Sequence, residues 1–286
     1  MPGRIRIWSA ILVVVGILLA ARQAGAEACG TVFTVATHGS TTTPYSLARP
    51  ANDSGATAPI TLVLLPGGGG HLDLDAGGCP RALTGNSLVR MRPLFQQAGF
   101  VTALVDSPSD HTGEDGLKGF RADPRHADDL GRVILDLRHR VGGPVWLVGT
   151  SRGSISAVNA TSRLHGPAAP DGLVLTSVLM DGDAFARKTW VAQTVFELPL
   201  AAIALPVLLV GHEDDACIRS PSDMMAEVAA RLGAARRQVA VVTGGPGGAG
   251  ASQDIESCRG QSPHGFYGQE DEVVAGIARF VRGGSY

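Results

Sequence analysis

The sequence predicts an α/β fold, a mostly parallel central sheet flanked by helices, and two observations carry that prediction. Short apolar runs rich in β-branched residues recur along the chain, and amphipathic stretches of helical length separate them. This is the pattern of crossover units wound around a parallel sheet. A third observation sharpens it: the apolar run Val145-Trp146-Leu147-Val148 leads straight into Gly149-Thr150-Ser151-Arg152-Gly153, so a buried strand ends on a glycine-flanked serine.

Taken in order, strands are expected at residues 32–36, 61–65, 101–105, 144–148, 172–179, 206–210 and 238–242. Helices fit between them. Residues 123–140 place Leu130, Val133, Ile134 and Leu137 on one face at helical spacing, with Pro124 in the first turn, where a proline costs no hydrogen bond. Further helices are expected near 222–232 and 270–281. The segment 180–204 is too short for a large lid and reads as a small helical excursion. No internal repeat and no second domain is evident, so residues 27–286 are expected to form one domain. The glycine-rich stretch 244–250 reads as a loop, because it lacks the strand-to-helix context of a phosphate cradle.

The 286 residues, 44% of them hydrophobic, are enough for a sizeable core. A formal net charge of -2, from 24 basic and 26 acidic residues without blocks, offers no electrostatic footprint for nucleic acid. The N-terminus reads as an export signal, with Arg4 and Arg6 before an apolar stretch over 7–21 and an A-x-A site at Ala24-Gly25-Ala26. Cleavage is expected after Ala26, giving a periplasmic or secreted protein with no membrane attachment after signal removal. The apolar stretch is shorter than the roughly 20 residues of a spanning helix. The next apolar run, residues 198–210, is interrupted by Pro199 and Pro206.

Four cysteines, Cys29, Cys79, Cys217 and Cys258, lie beyond the signal. An even number in an oxidising compartment predicts two disulfides, for which three pairings exist. No C-x-x-C or spaced Cys/His pair suggests zinc, and no metal or organic cofactor is expected.

The serine in Gly149-Thr150-Ser151-Arg152-Gly153 has the context of a nucleophile elbow. A strand-to-helix turn that sharp pushes the hydroxyl out at the top of the sheet, and only small residues at the two glycine positions let the backbone pass. A helix N-cap is the structural alternative, but a cap does not require glycine on both sides.

With this elbow and three further motifs, the chain resembles the α/β-hydrolases over nearly all of its length after the signal. Leu64-Leu65-Pro66-Gly67-Gly68-Gly69-Gly70-His71 is similar to the glycine-rich loop that donates an oxyanion-hole N–H in that family. Val210-Gly211-His212-Glu213-Asp214-Asp215 resembles its strand-end G-x-x-D signature, and Ser262-Pro263-His264-Gly265-Phe266 its histidine loop. The resemblance implies an α/β-hydrolase fold with little or no lid and a Ser-Asp-His order. It implies Ser151 as nucleophile, His264 as general base and Asp214 as the acid that orients it. Asp215 is the alternative acid and Asp181 a third. The oxyanion hole would be the backbone N–H groups of Arg152 and of Gly68 or Gly69. Because Cys217 and Cys258 flank the acid and the histidine in loops that must then meet, they are expected to pair, leaving Cys29 with Cys79.

The nearest group by resemblance comprises dienelactone hydrolases and secreted esterases, although this chain carries serine where dienelactone hydrolases carry cysteine. The expected activity is hydrolysis of a small-molecule carboxylic ester through an acyl-enzyme. The alternatives are an acyltransferase or peptidase on the same triad, or a non-catalytic binding protein on the same scaffold. The other histidines, including His38, His71, His111 and His126, are expected to be surface or structural, with His71 and His111 in loops at strand ends where ligands bind. The loop Asp106-Ser107-Pro108-Ser109-Asp110-His111 is a candidate pocket wall, and the Arg152 side chain is expected to face solvent at the helix start.

Overall fold

A computed structural model describes residue 3 and residues 29–50, 58–247 and 252–286. The export segment at 1–26, apart from Gly3, and residues 248–250 of the 244–250 loop lie outside the described residues. Eight strands form one sheet in the order β1-β2-β4-β3-β5-β6-β7-β8. They are β1 (Thr31–Ala36), β2 (Thr42–Ala48), β3 (Thr61–Leu65), β4 (Val101–Val105), β5 (Val145–Thr150), β6 (Gly172–Thr176), β7 (Val207–His212) and β8 (Arg237–Val242). β1–β2 and β2–β4 pair antiparallel, and every other neighbouring pair is parallel.

The parallel strands β3, β4, β5 and β6 are buried along their whole length, which explains why they read as continuous apolar runs rather than alternating ones. Their side chains divide between two cores. Val63, Leu65, Leu147 and Leu175 face one side, where they pack with α2 (Pro124–Arg140), α3 (Gly153–Arg163) and α4 (Met225–Arg231). Leu62, Leu64, Val148 and Val174 face the other, against α1 (Ser87–Gln97) and α5 (Glu270–Val281). The face expected for α2 is the buried one, with Leu130, Val133, Ile134 and Leu137 each at most 1% exposed. Asp123 caps this helix by accepting the Arg125 N–H at 2.8 Å.

Two elements escape the sequence pattern, and proline is a reason in both. β2 carries Pro44, a residue disfavoured inside a sheet because it cannot donate; its carbonyl instead accepts the Asp106 N–H at 3.0 Å. α1 carries Pro93 in its interior, yet it buries Leu88, Met91 and Phe95 on one side, and tertiary packing outweighs the local cost. β6 ends at Thr176 rather than at 179, because Ser177 turns left-handed at φ 45°. Residues 180–204 form the expected helical excursion, as three short 3-10 turns at Thr189–Ala192, Val195–Glu197 and Leu200–Ala202.

Register sets the position of the site. Leu65 lies opposite Gly149, Thr150 opposite Thr176, and Thr176 opposite Val210. The loops that follow β3, β5, β6 and β7 therefore leave the sheet side by side at the carboxyl edge, where open α/β sheets bind ligands. Both disulfides close: Cys29 with Cys79, and Cys217 with Cys258. Among the described residues no helix is long and apolar enough to cross a membrane.

Candidate active site

Ser151 stands at the turn between β5 and α3 with φ at 50°, a left-handed conformation that a serine adopts only where its surroundings hold it. Its N–H donates to the Thr176 carbonyl at 3.0 Å, and its carbonyl accepts the Ser154 hydroxyl at 2.6 Å. The flanking glycines are required by contact. A Cβ on Gly149 would lie 2.6 Å from the Gly153 carbonyl oxygen, and one on Gly153 would lie 2.0 Å from that of Leu65.

His264 sits in the 3-10 turn Pro263–Gly265, 4% exposed. The Ser177 hydroxyl donates to its backbone carbonyl at 2.6 Å. Its Nδ1 is 2.9 Å from Oδ2 of Asp215, whose side chain is 1% exposed. The other oxygen, Oδ1, accepts the Cys217 N–H at 2.9 Å. A carboxylate oxygen at this distance selects the tautomer with the proton on Nδ1, which in a neutral imidazole leaves the lone pair on Nε2. That Nε2 is buried and has no hydrogen-bond partner.

The carboxylate facing His264 belongs to Asp215, the alternative acid of the sequence reading, and not to Asp214. β7 runs on through His212, two residues past its expected end at 210, which shifts the turn that follows. His212 then organises the turn: its Nδ1 accepts the Asp214 N–H at 3.0 Å, and its Nε2 lies 2.7 Å from Oε1 of Gln269. Asp214 is left half-buried beside that turn, and the next residue points inward.

Ser151 and His264 line one cavity of about 330 Å³ with Gly67, Gly68, Ser87 and Thr150. A second cavity, about 360 Å³, meets the first at Ser151 and Gly68 and is walled by Leu179, Trp190, Val191, Arg219 and Ile255. A larger cavity of about 640 Å³ beside β1 and β2 includes none of these groups.

The glycine-rich loop presses on the serine, since a Cβ on Gly67 would lie 2.9 Å from that of Ser151. Gly68 adopts φ 57° and borders both cavities. Gly69 instead packs under the segment 114–117, its carbonyl accepting the Leu117 N–H at 2.8 Å. Arg121 was not singled out from sequence. It is 1% exposed, its Nη2 donates to the carbonyls of Pro66 and Gly68 at 3.0 and 3.2 Å, and its Nη1 donates to the Ser156 hydroxyl at 2.9 Å. Burial and the nearby Arg152 push its pKa well below the usual arginine range. The carbonyl dipoles of the loop are what compensate this cation.

Arg152 departs from the expected solvent-facing position. Its guanidinium lies 3.7 Å from the centroid of Trp190 and donates to the Lys118 carbonyl at 3.0 Å, and burial lowers its pKa to about 10. The loop after β4 does not border either cavity. Asp106 accepts the N–H groups of Leu72 and Leu74 at 2.6 and 3.2 Å, and His71 Nδ1 lies 3.1 Å from the Ser107 hydroxyl. These residues brace the far end of the glycine-rich loop. Asp215, Cys217 and His264 lie close enough together for metal ligation, but the Cys217 sulfur is committed to its disulfide and offers no thiolate.

Comparison with solved structures identifies the architecture. The fold is that of the α/β-hydrolases. Esterase 2 of Thermogutta terrifontis, phosphonylated by sarin, superposes with a TM-score of 0.60 at 15% identity, covering 92% of this chain and 98% of the other. A dienelactone hydrolase from Anabaena variabilis gives 0.56 at 15% identity, over 89% and 97% of the two chains. A lid-less α/β serine hydrolase from Xanthomonas campestris gives 0.51 at 16% identity, over 86% and 93%. No protein-family model matches the sequence, and no curated protein does.

Proposed function

We propose that this α/β-hydrolase-fold protein is an exported serine hydrolase that cleaves small-molecule carboxylic esters through an acyl-enzyme on Ser151. The observation that carries the reading is the buried Asp215–His264 pair, whose partnerless Nε2 shares a cavity with a serine held in a left-handed turn. A serine hydroxyl is a weak nucleophile until a base accepts its proton during attack, and in this reading His264 Nε2, which shares the cavity with Ser151, is that base. Asp215 holds the tautomer and offsets the imidazolium that forms.

The tetrahedral oxyanion would be met by the backbone N–H groups of Arg152 and Gly68, since Gly68 borders both cavities and Gly69 borders neither. Proton return from His264 to the leaving alcohol releases the first product, and a water activated by His264 then hydrolyses the acyl-enzyme. The two cavities meeting at Ser151 suit the two sides of a scissile ester. Export is supported by the two disulfides, which persist in oxidising compartments. A fluorophosphonate test of Ser151 follows the precedent of the structurally similar Thermogutta esterase, which reacts with an organophosphorus agent.

Native protein and Asp214→Asn are expected to label with a fluorophosphonate probe, Ser151→Ala to give no label, and Asp215→Asn to label slowly. On an ester substrate Asp215→Asn should lose about 10⁴ in kcat, the size of a lost orienting carboxylate. Native protein that fails to label would overturn the hydrolase reading and favour a non-catalytic scaffold. Equal damage from Asp214→Asn and Asp215→Asn would overturn the choice of acid.

A further inference from the structure

A separate cluster forms where the turn between β1 and β2 meets the loop after β4 and the helix α2. His38 Nδ1 lies 2.6 Å from Oδ2 of Asp129, and Oδ1 of Asp129 accepts the His38 backbone N–H at 2.7 Å. The Asp129 side chain is 1% exposed, so this pairing fixes which ring nitrogen of His38 is occupied. The other nitrogen, Nε2, is directed at Oδ2 of Asp110 at 3.1 Å. On its other oxygen, Asp110 meets Nδ1 of His111 at 2.7 Å. One carboxylate thus gathers two imidazole nitrogens, with ligand atoms of all three residues within 4.8 Å of one another. The Phe120 ring stacks on His111 at 4.2 Å and lies 4.7 Å from His38, restraining both imidazole planes.

We propose that His38, Asp110 and His111 form a binding site for a divalent transition metal, best matched to Zn²⁺, with Asp129 orienting His38 from behind. Two imidazole nitrogens and one carboxylate oxygen are a zinc donor set, and a water would complete a tetrahedron of roughly 2 Å bonds. Ligand atoms in such a tetrahedron stand a little over 3 Å apart, a spacing this cluster already approaches in its two contacts with Asp110. A metal-binding histidine that gives its second ring nitrogen to a buried carboxylate is the expected outer-shell arrangement, and His38 with Asp129 has it. Calcium and magnesium require more oxygen donors, and a soft monovalent metal requires sulfur. Coordination would displace the protons that lie between Asp110 and both His38 Nε2 and His111 Nδ1, releasing them to solvent or to the free Nε2 of His111. The two carboxylates, Asp110 and Asp129, balance the added charge.

The site would join the β1–β2 turn to the loop after β4, segments distant in sequence, so metal should stabilise the fold without entering the Ser151 chemistry. The test is calorimetric titration of ZnCl₂ into chelator-treated, untagged protein, followed by thermal unfolding with and without the metal. One Zn²⁺ per chain is expected, with a raised Tm. His111→Ala and His38→Ala should abolish both effects, and Asp129→Asn should weaken binding by about 10- to 100-fold. Reactivity of Ser151 with a fluorophosphonate should stay at the native level in His111→Ala, which also reports that this variant is folded. Absence of saturable zinc binding would overturn the proposal, as would binding that survives both histidine substitutions or that calcium displaces as readily as zinc.

Discussion

At the scale of single residues, position within one turn decides which group a side chain faces. The sequence places Asp214 at the G-x-x-D position with Asp215 as its alternative, and with β7 running on through His212 it is the second that faces His264. His126 shows the same dependence on surroundings. It is 4% exposed with both ring nitrogens unpartnered, and burial, reinforced by the charge of Arg121, lowers its pKa to about 3. In the unfolded chain it binds a proton below about pH 6.5, whereas in the native state it stays neutral until about pH 3. Its contribution to stability is therefore complete above pH 6.5 and is lost as the pH falls toward 3. The loss should be about 1 kcal/mol per pH unit. Urea unfolding at pH 7 and at pH 4.5 checks this: His126→Phe, which fills the space without a titrating nitrogen, should show a shallower loss than native protein.

At the scale of elements, the glycine-rich loop combines glycines of its own sequence with a grip from a distant arginine. Glycines give the loop freedom, and freedom alone does not fix where its peptide groups point. Arg121, in the turn Lys118–Ala122, grips the carbonyls of Pro66 and Gly68 and thereby orients the peptide groups between them. Arg121→Met keeps much of the volume and removes the donors. It should lower kcat on an ester substrate by about tenfold to a hundredfold, less than the 10² to 10³ of a lost oxyanion donor, with KM nearly unchanged. Steady-state kinetics separate the two constants, and a change confined to KM would count against this positioning role. Arg121 has no sequence signal because its partners are backbone carbonyls more than fifty residues away.

At the scale of the whole molecule, the disulfide Cys217–Cys258 joins the loop carrying Asp215 to the segment leading into His264, across a separation of 41 residues. Cys29–Cys79 instead anchors the chain before β1 to the loop after β3. Replacing either pair with alanine should cost about 3 to 4 kcal/mol in unfolding free energy by chain-entropy reasoning. The two variants should differ in function. Loss of the 217–258 bridge is expected to slow fluorophosphonate labelling of Ser151, while loss of the 29–79 bridge should leave it near native. Denaturant unfolding and labelling rates on the same samples check both outcomes.

The sheet was legible because fully buried parallel strands must be continuous apolar runs, and α2 because its apolar face repeats at helical spacing. The turns that carry Ser151 and His264 were legible for a similar local reason: glycine contacts and strand-end placement leave a mark within a few residues. β2 and α1 were obscured by Pro44 and Pro93, whose local costs are overridden by neighbours far along the chain. Which aspartate faces His264, what holds the glycine-rich loop, and the meeting of His38 with Asp110, His111 and Asp129 were settled only by the tertiary structure. Each depends on where a side chain points in three dimensions, and residues 38, 110 and 129 come together through sheet pairing rather than through any spacing in the sequence.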